Sequence, residues 1–192
     1  VIYLYKKLLI RMRTLVLSAI VAVTFLASCK GDKSTETEEV TVEEVATKPF
    51  TVTFNAVVDK DDTFQVFYNE DAGDNFAPED AVTINIKGSE EPQDLVFVMP
   101  EDARPLALRF DIGANKELGK VPFNGFRIEY QGKTIEGTKA DFFKYFYPNT
   151  QVEIDTINIA AKMKVLNEGE LYDPILGSTP EFKKSLERLY LE

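Results

Sequence analysis

From Phe50 onward apolar and polar residues alternate with a period of two, which is the pattern of half-buried strands and not of helices. In FTVTFNAVV (50–58), Phe50, Val52, Phe54, Ala56 and Val58 share one face, with Thr51, Thr53 and Asn55 on the other. TFQVFYN (63–69) groups Phe64, Val66 and Tyr68, and AVTINIK (81–87) groups Val82, Ile84 and Ile86. The runs DLVFVMP (94–100), LALRFDI (106–112, with Leu106, Leu108 and Phe110) and FRIEY (126–130) continue the series. Turn residues separate them: Asp59 to Asp62, Asp71 to Asn75 around Gly73, Gly88-Ser89, Met99-Pro100, Gly113-Ala114-Asn115 and Gln131-Gly132. No long helical pattern lies between the strands, which disfavours a parallel sheet built on crossover helices. The expected fold is therefore all-β, an antiparallel β-sandwich of jelly-roll or Ig-like type.

QVEIDTINIAAKMKVL (151–166) supplies one or two further strands, and the phase change between Val152/Ile154 and Ile157/Ile159 predicts a bulge near Asp155-Thr156. STPEFKKSLERLYLE (178–192) reads as a short C-terminal helix, with Ser178 or Thr179 as cap, Pro180 in its first turn and Phe182, Leu186 and Leu189 on one stripe. That stripe needs a surface, either the sandwich itself or a partner groove. Residues 49–192 form one domain of common size, about 145 residues.

The single cysteine, Cys29, stands just after an apolar run. Lys6, Lys7, Arg11 and Arg13 precede LVLSAIVAVTFLA (15–27), a run too short to span a bilayer, which takes roughly 20 residues. Basic, apolar and then small residues are the order of an export signal, expected over 1–28, and Met12-Arg13 would open a compact signal by itself. Leu26-Ala27-Ser28-Cys29 resembles the lipobox of bacterial lipoproteins. The resemblance implies diacylglyceryl attachment at the Cys29 sulfur, an outer-membrane lipid anchor and a domain facing the periplasm or the cell surface. One cysteine permits no intramolecular disulfide, so the core must carry stability. Loss of the four cations in 1–28 would take the net charge from −10 to −14, a surface that repels phosphate backbones and argues against nucleic acid. Residues 29–48, rich in Glu, Thr and Ser, read as an acidic flexible linker. Asp32, Glu36, Glu38 and Glu39 resemble the acidic tract that directs many Bacteroidota lipoproteins to the cell surface, though a plain solvated spacer has the same composition.

The chain has no histidine, which removes the usual general base and the commonest zinc ligand. Residues 113–121 (GANKELGKV) miss the phosphate-loop spacing and place Val121 where Ser or Thr should hold magnesium. Calcium is the one metal with candidate ligands: Asp59, Asp61 and Asp62 in one turn, and Glu70, Asp71 and Asp74 with Asn75 in another. Neither has EF-hand spacing, and no other cofactor is implied. In DFFKYFYP (141–148) consecutive aromatics cannot all face one core. Phe143, Tyr145 and Tyr147 are therefore candidates for a rim that stacks on sugar, with packing of a loop on the sandwich as the competing role.

Residues 50–130 resemble a β-sandwich domain of Bacteroidota lipoproteins that is also appended to membrane glycosyltransferase-like proteins. DDTFQVFYNEDAGDNF (61–76), FVMP (97–100) and LRFDIGANK (108–116) carry the likeness. It implies the architecture and a link to cell-surface glycans, without catalytic residues. Arg109 and Asp111 lie two apart on one strand face, where they are placed to pair with each other or to bond neighbouring backbone. The leading expectation is a non-enzymatic, lipid-anchored module that binds carbohydrate or another envelope component. The alternatives are an assembly subunit of an envelope complex that docks by its C-terminal helix, and a small carboxylate glycosidase.

Overall fold

The computed structural model describes residues 48–191. Cys29, the signal segment and the linker up to residue 47 lie outside them. The alternation of the first strand is realised directly: β1 (Thr51–Val58) buries Val52, Phe54, Ala56 and Val58. Ten more strands follow: β2 (Asp62–Asn69), β3 (Ala81–Ile86), β4 (Ser89–Val98), β5 (Ala107–Asp111), β6 (Lys120–Tyr130), β7 (Lys133–Thr138), β8 (Phe146–Pro148), β9 (Val152–Asp155), β10 (Ala160–Met163) and β11 (Ile175–Ser178). A one-turn helix (Phe142–Tyr145) leads into β8, and the C-terminal helix spans Pro180–Leu189.

Two antiparallel sheets result, so the sandwich read from the sequence is the observed fold. The first has the order β4-β1-β6-β10-β9 with β7 also on β6, and the second has the order β3-β2-β5-β11-β8. Strand β6 is long enough to serve three neighbours. Its Phe123–Glu129 portion pairs with β1 on one edge, while β7 takes Gly125–Tyr130 and β10 takes Lys120–Pro122 on the other. The β1–β6 register shifts where Asn55 faces Gly125 but Ala56 faces Phe123, leaving Asn124 as a bulged residue. Gln131 and Gly132, both at positive φ (47° and 82°), close the β6–β7 hairpin in the manner of a two-residue primed turn.

Phenylalanine fills the space between the sheets. Phe54 of β1 stacks on Phe110 of β5 at 4.3 Å between centroids and meets Phe97, Phe123, Phe142 and Phe146 edge-on at 5.3–6.5 Å. Such offset and edge-to-face pairs add about 0.5–1.5 kcal/mol each beyond their area burial. The C-terminal helix closes one side. Thr179 Oγ1 accepts from Phe182 N, and Phe182, Leu186 and Leu189 are all buried. Phe182 packs against Phe126 and Phe146 at 5.4 and 5.0 Å. The apolar stripe is thus taken by the domain's own core.

The bulge expected at Asp155-Thr156 is instead a chain reversal between β9 and β10. Asp155 accepts from the backbone N–H groups of Ile157 and Asn158, from Asn158 Nδ2 and from Lys162, and so fixes the turn. A reversal and a bulge shift apolar phase alike, which is why the sequence did not separate them.

Candidate functional site

The outward face of the second sheet gathers two stretches that are far apart in the chain. Aligned across its strands are Phe67 (β2), Arg109 (β5), Gly177 (β11) and Tyr147 (β8), each facing the next in register. Arg109 is fixed on several sides. Its Nε and Nη2 donate to Asp111 Oδ1 and Oδ2 at 2.8 and 2.7 Å, a bidentate fork, and Nη2 also reaches Asp173 Oδ1 at 3.4 Å. The guanidinium lies 4.8 Å from the Phe67 ring centroid, within cation–π range. The Arg109 side chain keeps 26% of its surface exposed and Asp111 only 15%. Burial pushes the Asp111 carboxyl above its ordinary range, against the downward pull of Arg109, and neighbouring Asp173 adds to the rise.

Tyr147 is 45% exposed, whereas its strand neighbour Phe146 points into the core. A Cβ built on Gly177 would lie 2.8 Å from Tyr147 Cζ and 2.9 Å from its hydroxyl, so the ring occupies the space that glycine leaves free. The loop carrying Asp173 is tied to the same edge. Asn149 Nδ2 donates to Asp173 O at 2.6 Å, and Asp173 N donates to Gln151 Oε1 at 2.8 Å. The register thus sets a phenyl ring, a guanidinium and a phenol ring as a strip along one line of the sheet. Strands lie about 4.8 Å apart, so the strip runs on the order of 14 Å.

Of the three aromatic candidates from the sequence, Tyr147 alone is exposed. Phe143 is half-buried against Phe142 and Phe123 (5.2 and 6.4 Å), and Tyr145 is half-buried between Phe126 and Phe182 (5.2 and 5.6 Å). Both belong to the packing of the one-turn helix on the sandwich. The two acidic turns do not converge either, because they sit at opposite ends of β2. Asp61 accepts from Lys87 Nζ and Gly88 N, which hold its carboxyl below the ordinary range. Asp62 Oδ1 accepts from the N–H groups of Thr63, Ala114 and Asn115. At the other end Glu70 accepts from Arg104 N, Asp71 from Gly73 N, and Asp74 pairs with Lys183. Asp59 remains exposed on its loop. These carboxylates cap turns and pair lysines, and among the described residues no group of three or more His, Cys, Asp or Glu is arranged to hold a metal ion. The candidate acids Asp61, Asp62, Glu70, Asp71 and Asp74 are thus engaged in turns and lysine pairs instead of being gathered round one point.

The sequence named Tyr147, with Phe143 and Tyr145, as ligand-binding candidates and placed Arg109 and Asp111 only as a pair on one strand face; Phe67, Asp173 and Gly177 were missed. Phe67 was legible as an aromatic on the polar phase of β2. Gly177 carries no signal of its own until its register partners are known.

The chain matches no family model, no curated protein and no solved structure. Among the described residues no helix is long and apolar enough to cross a membrane.

Proposed function

We propose that the domain is a non-enzymatic glycan-binding module, carried on an envelope lipid anchor at Cys29, and that Tyr147 is its stacking platform. The observation that carries this reading is the exposed Tyr147 ring laid over Gly177 beside an immobilised Arg109. A pyranose offers an apolar C–H face to such a ring and hydroxyls to fixed polar groups at its edge. Arg109 and Asp111 are ordered before any ligand arrives, which lowers the entropy cost of binding. The Arg109 charge is already balanced by Asp111 and Asp173, so the strip suits neutral sugars over uronic acids.

The test is a broad glycan array probed with the full chain, with calcium and with chelator, followed by titration of the best ligand. Tyr147→Ala is expected to abolish binding at unchanged fold, and chelator to have no effect. Retained affinity in Tyr147→Ala, or no bound glycan across the array, would remove the reading.

A further inference from the structure

The outward face of the other sheet holds a separate depression of about 370 Å³. Thr53 forms part of its floor and is buried although its strand position points away from the core. Gly125 keeps the floor low and lets β7 approach, since a Cβ there would lie 2.5 Å from Gly137 O. Two adjacent rungs of the sheet supply the walls. One runs from Asp94 (β4) through Asn55 (β1) to the bulged Asn124 (β6), and the other from Thr53 through Arg127 (β6) to Glu136 (β7).

The polar groups in this depression are pre-set. Asn124 Nδ2 donates to Asn55 Oδ1 at 2.8 Å, and Asn55 Nδ2 donates to Asp94 Oδ1 at 2.7 Å. This relay across three strands leaves Asp94 Oδ2 and Asn124 Oδ1 as acceptors. Arg127 Nε faces Glu129 at 3.2 Å, which leaves its two Nη groups. Glu136, also exposed, has no hydrogen bond or ion pair among the described residues. Two carboxylates without a cation partner, Asp94 and Glu136, stand against one arginine already shared with Glu129. Anionic ligands are disfavoured, and a ligand that brings positive charge together with N–H and O–H donors for these carboxylates is complementary. The volume lies at the small end of ligand pockets and suits one or two sugar rings.

We propose that this depression is a second ligand site that takes an amino sugar with a free ammonium group. The ammonium and hydroxyls would donate to Asp94, Asn124 and Glu136, and Arg127 would donate to a ring or hydroxyl oxygen. The site lies on the opposite sheet from Tyr147 and is independent of the stacking strip.

The test is an NMR titration of the full chain with glucosamine and its β-1,4-linked dimer, against glucose, N-acetylglucosamine and spermidine. The dimer is expected to shift the amides of Asn124 and Gly125. Glucose and N-acetylglucosamine should bind about tenfold or more weakly, and Asp94→Asn and Glu136→Gln, both at exposed positions, should each weaken the dimer about tenfold. Tyr147→Ala should leave it unchanged. Equal affinity for glucose, unchanged affinity in both acidic variants, or no shift at those amides would overturn the proposal. Spermidine binding as tightly as the dimer would overturn the amino-sugar assignment in favour of a simple polyamine. Loss of the dimer in Tyr147→Ala would place it on the other sheet.

Discussion

Tyr145 packs edge-on against Phe126 and Phe182, while Tyr147, two residues on, has nearly half its surface in solvent. Tyr145→Ala is expected to cost about 2 kcal/mol in urea unfolding and to leave glycan binding intact. Tyr147→Ala should change stability by less than about 0.5 kcal/mol, as surface substitutions do, while removing binding. Tyr172 supports a pH prediction. Burial, with the Asp62 charge nearby, pushes its hydroxyl up to about 12. In the unfolded chain it ionises near its free value of about 10, so between these values the folded state holds more protons. Its contribution to stability is therefore present below pH 10 and lost as pH rises toward 12. The melting temperature should fall across that window, and Tyr172→Phe should flatten the fall relative to the parent chain. An identical pH profile in Tyr172→Phe would remove this account.

The C-terminal helix shows how a locally legible element acquires its role. Its cap, its first-turn proline and its apolar stripe were all readable, because capping and 3.6-residue periodicity are local properties. Thr179→Ala is expected to cost about 1 kcal/mol and Leu186→Ala about 2–5 kcal/mol in chemical denaturation, since the second empties a fully buried position. A helix held for a partner would instead tolerate Leu186→Ala with little loss of stability. The short strands show the opposite case. β8 and β11 have three and four residues, too few to display a period, and Ile135 is the only large apolar residue of β7. They are strands because neighbouring edges offer hydrogen bonds, as Gly177 and Ser178 find on β8.

Across the whole described domain, one aromatic core joins both sheets. Phe54 touches rings from β4, β5, β6 and β8, so neither sheet can unfold while the other keeps its buried face. Phe54→Ala should therefore cost about 3–5 kcal/mol, and the midpoints seen by far-UV circular dichroism and by tyrosine fluorescence should move down together. Separate midpoints would show that the sheets unfold independently. The all-β class, the inward faces of β1, β2, β3, β5 and the second half of β6, and the closing helix were legible in the linear chain, whereas the face of β4 and the first half of β6 were not. Side-chain direction is set within a strand by the backbone, so the alternation of apolar residues is sufficient to read it. The same reading offered Phe143, Tyr145 and Tyr147 as rim aromatics and put Arg109 and Asp111 on one strand face. Which of them meet depends on strand pairing. The order and register of strands depend on hydrogen bonds between segments tens of residues apart, and nothing local to Tyr147 states that Gly177 and then Arg109 lie beside it. The same non-local pairing brings Asp94, Asn55 and Asn124 onto one rung, out of three polar residues that a linear reading sees as ordinary solvent-facing positions.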